Sequence, residues 1–187
     1  VVITEMDKVF YPEKMLVPLI ETVHDRVTLE VFRGCIRGCR FCQAGFVYRP
    51  VREKNYDTLI KQAHSLIDAS GDDEISLVSL STSDYTCFND LANGLLDDFA
   101  KDKVNISLPS LRIDAFSLDL MQKIQEVRKS SLTFAAEAGT QRLRNVINKN
   151  LTEDDIALIK SMIADGINIT AQMLPNESDE FIEAYLK

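Results

Sequence analysis

Short strand-like segments alternate with helical ones from residue 27 onward, and this order restricts the fold more than any other feature. Val27 to Phe32 reads as a strand. From Asn55 to Ala69, residues Leu59, Ile60, Ala63, Leu66 and Ile67 share one helical face, and Gly71 is placed to end that helix. The order then repeats, with "ISLVSL" (75–80) as a strand, a helix marked by Leu91, Leu95 and Phe99, and Val104 to Leu108 as a strand. Ser117 is placed to cap a helix carrying Leu120, Ile124 and Val127. "LTFAA" (132–136) gives a fourth strand, and Thr140 opens a short helix with Leu143 and Ile147. "TEDD" (152–155) resembles a capping box for a helix stopped at Gly166, and "INITAQM" (167–173) is a fifth strand.

Strands separated by helices form βαβ units and a parallel sheet. Covered parallel strands are usually apolar on both faces, but these alternate. Val104, Ile106 and Leu108 interleave with Asn105 and Ser107; Ile167 and Ile169 interleave with Asn168 and Thr170. One face packing on helices while the other lines a polar cavity predicts a curved, partly open α/β barrel. The segments with chemical potential all follow strands: the cysteine-bearing loop, "STSDY" (81–85), "PSLRID" (109–114), "EAGTQRLR" (137–144) and "LPNES" (174–178). Parallel α/β barrels build their sites at these carboxyl ends.

The first of those loops, "RGCIRGCRFC" (33–42), holds three of the four cysteines in a Cys-x3-Cys-x2-Cys spacing. A net charge of −8 argues against general nucleic-acid or anionic-membrane binding. Locally the sign reverses: no acidic residue lies between Glu30 and Glu53, whereas Arg33, Arg37, Arg40, Arg49 and Arg52 do. No apolar run approaches a membrane span, and the first residues lack a signal-peptide layout. Clustered thiols without a paired framework point to a reducing cytoplasm.

Three thiols within eight residues can wrap one metal centre. A structural zinc would need a fourth ligand from Cys87, His24 or His64. An iron–sulfur cubane held by three cysteines leaves one iron open. The flanking arginines would offset a cluster's negative charge, and Gly34 and Gly38 allow tight turns. Cys87 also reads as a small buried hydrophobe, His24 and His64 as packing residues, and Arg142 and Arg144 as a solvated helix face.

The triad, with Phe41 before its last cysteine, resembles the hallmark of the radical S-adenosylmethionine (AdoMet, SAM) superfamily. "YPEKMLVPLIETVHDRVTLEVFRGCIRGCRFCQAGFVYRPVRE" and "FAAEAGTQRLRNVINK" resemble its cobalamin-associated members of uncharacterised substrate. The resemblance implies a partial parallel (β/α)6 TIM-like barrel with about five βα units present. An N-terminal extension (1–26) would lead into a radical SAM core (27–187) that is incomplete at its C-terminus and belongs to a longer multidomain chain. It implies a 4Fe–4S cluster on Cys35, Cys39 and Cys42, with AdoMet on the open iron, cleaved reductively to a 5′-deoxyadenosyl radical. AdoMet contacts carry over to Phe41, Ser83, Asp84, Arg112, Glu137, Lys149 and Leu174. Lysine at 149 stands where many relatives have arginine, Met173 stands where a glycine commonly precedes Leu-Pro, and Ala136 replaces a frequent proline. A flavodoxin or ferredoxin would supply electrons, and cobalamin rests on the resemblance alone. Methylation, methylthiolation and rearrangement stay open as reactions. An iron–sulfur electron-transfer module and a zinc-dependent RNA-binding module are the competing readings.

Overall fold

The computed structural model describes residues 2–109, 111–115, 118–127, 132–164, 167 and 169–173. Strands β1 (Val27–Glu30), β4 (Glu74–Val78) and β5 (Asn105–Ser107) form a parallel sheet in the order β1-β4-β5. Leu29 pairs in register with Leu77, and Ile75 with Ile106. β6 (Leu132–Glu137) and β7 (Ile169–Met173) are also parallel, as a separate pair. A cavity of about 170 Å³, lined from β5 by Ile106 and Ser107 and from β6 by Leu132 and Thr133, lies where the two sheets approach. The expected α/β alternation with parallel strands is present, in two hydrogen-bonded pieces among the described residues.

Helix α2 (Tyr56–Ser70) buries Leu59, Ala63, Leu66 and Ile67, the face its spacing predicts. Gly71 adopts φ 74°, a left-handed cap, and its N–H reaches the Ile67 carbonyl at 2.8 Å. Helix α3 (Phe88–Phe99) buries Leu91, Leu95 and Phe99 against the same core. Each such side chain contributes about 1.5–3 kcal/mol by leaving water. Helix α4 (Leu118–Val127) packs beside α3 and β5. The proposed caps at Ser117 and Gly166 lie outside the described residues. Thr140 accepts from the Leu143 N–H at 3.3 Å to open α5 (Gln141–Val146). Thr152 and Asp155 form the reciprocal box that opens α6 (Glu153–Ala164), at 2.7 and 3.3 Å.

Two sequence expectations change. The first strand ends at Glu30 rather than Phe32, because Phe32–Arg33 (β2) leaves the parallel sheet to pair antiparallel with Arg52–Glu53 (β3). Val31 joins the two systems: its N–H donates to the Val78 carbonyl and its carbonyl accepts from the Lys54 N–H, both at 3.0 Å. Asn105, expected to face a polar cavity, is 3% exposed and donates to Glu74 at 3.4 Å. The residues before β1 are tied down at one end. Met6 is buried, and Asp7 accepts from the backbone and side-chain nitrogens of Asn55 at 2.8 and 2.6 Å.

Candidate functional site

The β2–β3 ribbon closes the neck of the loop that bears Cys35, Cys39 and Cys42. All three thiols are free and half-buried. Gly34 has φ 100°, and a Cβ there would run into the Tyr48 carbonyl and stand 2.9 Å from that of Pro50. Only glycine satisfies both demands. Helix α1 (Ala44–Val47) follows the last cysteine, and Gly45 is buried against Gly38. Among the described residues no three ligating side chains yet converge on one point. The donor set nonetheless fits an iron–sulfur cluster: three unbridged thiols on one tight, cationic loop, with the Cys42 N–H donating to the Cys39 carbonyl at 3.1 Å.

The loop is docked on the carboxyl ends of the parallel strands. After β4, Arg37 donates through Nε to Asp84 Oδ2 at 2.7 Å and through Nη2 to Oδ1; its Nη1 reaches Asp114 at 3.1 Å. Ser81 Oγ donates to Asp84 Oδ2 at 2.7 Å. Burial pushes the Asp84 carboxyl up, but the bonds from Arg37 and Ser81 outweigh it and hold the group below the usual carboxylate range. The same bond to Asp84 raises the Arg37 pKa. Past α5, Asn148 adopts φ 57° and its amide donates to the carbonyls of Arg37 and Gly38 at 3.3 and 2.9 Å. The Arg40 N–H donates to the Ile147 carbonyl at 2.9 Å.

A second set of contacts runs on from there. The Arg112 guanidinium holds Asp114 at 3.0 and 3.1 Å and the Lys149 carbonyl at 2.9 Å, while its backbone N–H donates to Ser83 Oγ at 3.0 Å. Lys149 Nζ donates to Glu137 Oε1 at 3.2 Å. Glu137 ends β6 at φ 67°, where the register with β7 shifts. A left-handed glutamate is costly and persists only where its surroundings impose it. Ser83, Asp84, Arg112, Glu137 and Lys149, drawn from three loops and the end of β6, thus stand in one connected polar network. Phe41 lies in the cysteine loop, 45% exposed. Leu174 lies outside the described residues.

Sequence reasoning missed four members of this region. Arg144 was read as solvated, yet it is 0% exposed. It donates to the carbonyls of Ala138, Gly139 and Leu151 at 3.1–3.2 Å and to Glu153, so it fastens the loop after Glu137. Arg37, Asp114 and Asn148 were unassigned; the basic run around the cysteines was the one signal for Arg37. Cys87 is half-buried and packs against the core. His64 bonds Asp98 at 3.1 Å and packs on Phe99, and His24 pairs with Arg26 at 2.6 Å.

The sequence profile of the Radical SAM superfamily matches residues 29–187. The uncharacterized protein MJ0966 of Methanocaldococcus jannaschii is 34% identical over 195 residues, covering 96% of this chain and 42% of that protein. Among solved structures, the radical S-adenosylmethionine methyltransferase TsrM from Kitasatospora setae superposes with a TM-score of 0.64 at 14% identity, over 86% of this chain and 33% of its own. The cobalamin-dependent S-adenosylmethionine radical enzyme OxsB gives 0.65 at 16% identity, over 85% and 25%. The chain therefore spans less than half the length of these proteins, and the two superpositions show a shared fold. No helix among the described residues is long and apolar enough to cross a membrane. The chain belongs to the radical SAM superfamily, enzymes that bind a 4Fe–4S cluster and S-adenosylmethionine.

Proposed function

We propose that this chain is the cluster- and AdoMet-binding core of a longer radical SAM enzyme, with residues 1–26 as an extension and 27–187 forming a partial (β/α)6 barrel. Cys35, Cys39 and Cys42 would ligate the cluster, and Phe41, Ser83, Arg112, Glu137, Lys149 and Leu174 would contact AdoMet, with Asp84 in the same network bonded to Arg37 of the cysteine loop. The observation that carries this reading is the docking of the cysteine loop onto the ends of β4 and β5 and the turn after α5, through a polar network that runs on to Glu137 at the end of β6. When bound and reduced, a cluster held by these cysteines would supply the electron for reductive cleavage of the AdoMet sulfonium. This chain's residues orient the co-substrate: the Glu137 carboxylate accepts from its amino or hydroxyl groups, and the Lys149 ammonium donates to its carboxylate. Both side chains are mostly buried, 18% and 12% exposed, so those bonds form with little competition from water.

Cobalamin use by the full-length protein is supported by TsrM and OxsB, whose structures contain it. A flavodoxin or ferredoxin in the cytoplasm fits as electron donor. The test is anaerobic reconstitution with iron and sulfide, followed by AdoMet cleavage on addition of a reductant. Any one of the three cysteines changed to alanine should abolish the cluster, whereas Cys87→Ala should keep iron near the unaltered level. One zinc and no sulfide after anaerobic purification would defeat the reading.

A further inference from the structure

The carboxylate of Asp84 follows β4 in the polar network that runs on to Glu137 and Lys149, but its hydrogen-bonding capacity is turned toward the cysteine loop. Its side chain is only 7% exposed. Oδ1 accepts from Arg37 Nη2, and Oδ2 accepts from Arg37 Nε and Ser81 Oγ, each at 2.7 Å. Arg37 lies between the first two cysteines, and its side chain is 24% exposed. A planar guanidinium gripped by both oxygens of one carboxylate has a fixed orientation, which a point charge cannot impose. The backbone on either side of Gly38 is held as well, since the carbonyls of Arg37 and Gly38 accept from Asn148. Glu137 contrasts with this: among the described residues its side-chain bond comes from Lys149.

We infer that Asp84 is a positioning residue for the cysteine loop, acting through Arg37, rather than a direct ligand of AdoMet. This rests on the radical SAM reading of the site. The strut fixes the segment between Cys35 and Cys39 before any cluster arrives, so its loss loosens two of the three ligands together. AdoMet is then affected only by way of the loop, and the direct polar contacts belong to Glu137 and Lys149.

The test compares Asp84→Asn, Arg37→Gln and the double variant in anaerobically reconstituted protein. Iron loss to an excess of chelator is followed by the visible absorbance of the cluster, and AdoMet affinity is measured by equilibrium dialysis on protein that retains it. Each single variant should lose iron about tenfold faster, the scale of one broken charge-assisted bond. The double should be no faster than the worse single, because both changes cut one strut. AdoMet affinity in Asp84→Asn should change less than about twofold, while Glu137→Gln weakens it by about tenfold. Asp84→Asn weakening AdoMet equally with and without Arg37 would overturn the inference, as would unchanged iron loss. If Asp84→Asn fails to fold, Arg37→Lys serves instead: it keeps the charge without the fork and should lose iron at an intermediate rate. An unaltered rate there overturns the inference. Unaltered protein that assembles no cluster at all would overturn the functional reading, and this inference with it.

Discussion

Behind β1 and β4 stand α2 and α3, whose inner faces are aliphatic and aromatic: Leu59, Ala63, Leu66, Leu91, Leu95 and Phe99. Beyond β6 stands α5, whose most buried side chain is the guanidinium of Arg144. The first arrangement is held by non-directional burial, which tolerates small displacements. The second is held by directional bonds to three backbone carbonyls from two loops, which fix atoms to within a few tenths of an ångström. That contrast matches the work each half does. The first half is scaffold, and the second sets the backbone of Glu137 and Lys149, the proposed AdoMet contacts.

The contrast breaks most directly at Arg144. Arg144→Ala should cost about 4 kcal/mol, because it strands buried carbonyls and removes a large buried side chain. Leu66→Ala in α2 should cost about 3 kcal/mol through its cavity. Denaturant titration ranks the two. Near-UV circular dichroism and AdoMet binding should then separate them, with Leu66→Ala binding almost normally once folded. If both lose AdoMet affinity alike, the division between scaffold and positioning halves fails.

A smaller effect links the halves through Asp84. Its folded pKa lies below its unfolded value, so it contributes stability that is fully present above about pH 4. That contribution is lost as pH falls through the depressed folded value. Asp84→Asn should therefore lower stability at neutral pH and flatten the decline below pH 4. An acid limb as steep as that of the unaltered chain would place the titration elsewhere.

The smallest effect sharpens the contrast at the start of α6. Thr152→Ala removes the hydroxyl that accepts from Asp155 N–H and should cost about 1 kcal/mol. AdoMet affinity should stay unchanged, since the cap stands outside the polar network. A change in affinity would mean that α6 also positions Lys149.

Patterns that repeat were legible in the sequence. α2 declared itself through five apolar positions on one face and a terminal glycine, and the box at Thr152 through two residues three apart. The cysteine spacing pointed to the chemistry before any fold was known. The β2–β3 ribbon was not legible, because two-residue strands are too short to show a period. Arg144 was hidden for a different reason: its partners are main-chain oxygens, which no side-chain pattern reports. The Arg37–Asp84 pair joins residues 47 positions apart, beyond the reach of any local rule.

The β2–β3 ribbon has one more consequence. By pinning Phe32 to Glu53 and Arg33 to Arg52, it turns the segment from Gly34 to Val51 into a lasso closed at its own neck. With Cys35, Cys39 and Cys42 as the proposed ligands, a loop closed this way would carry them at high effective concentration, whatever the distant chain is doing. Closure entropy grows only by about 0.6 kcal/mol for each doubling of loop length, so the lasso tolerates changes of length between Cys42 and its neck, outside the Cys-x3-Cys-x2-Cys spacing. On the proposed reading the loop would be a modular chelator, closed by its own ribbon rather than by the sheets behind it.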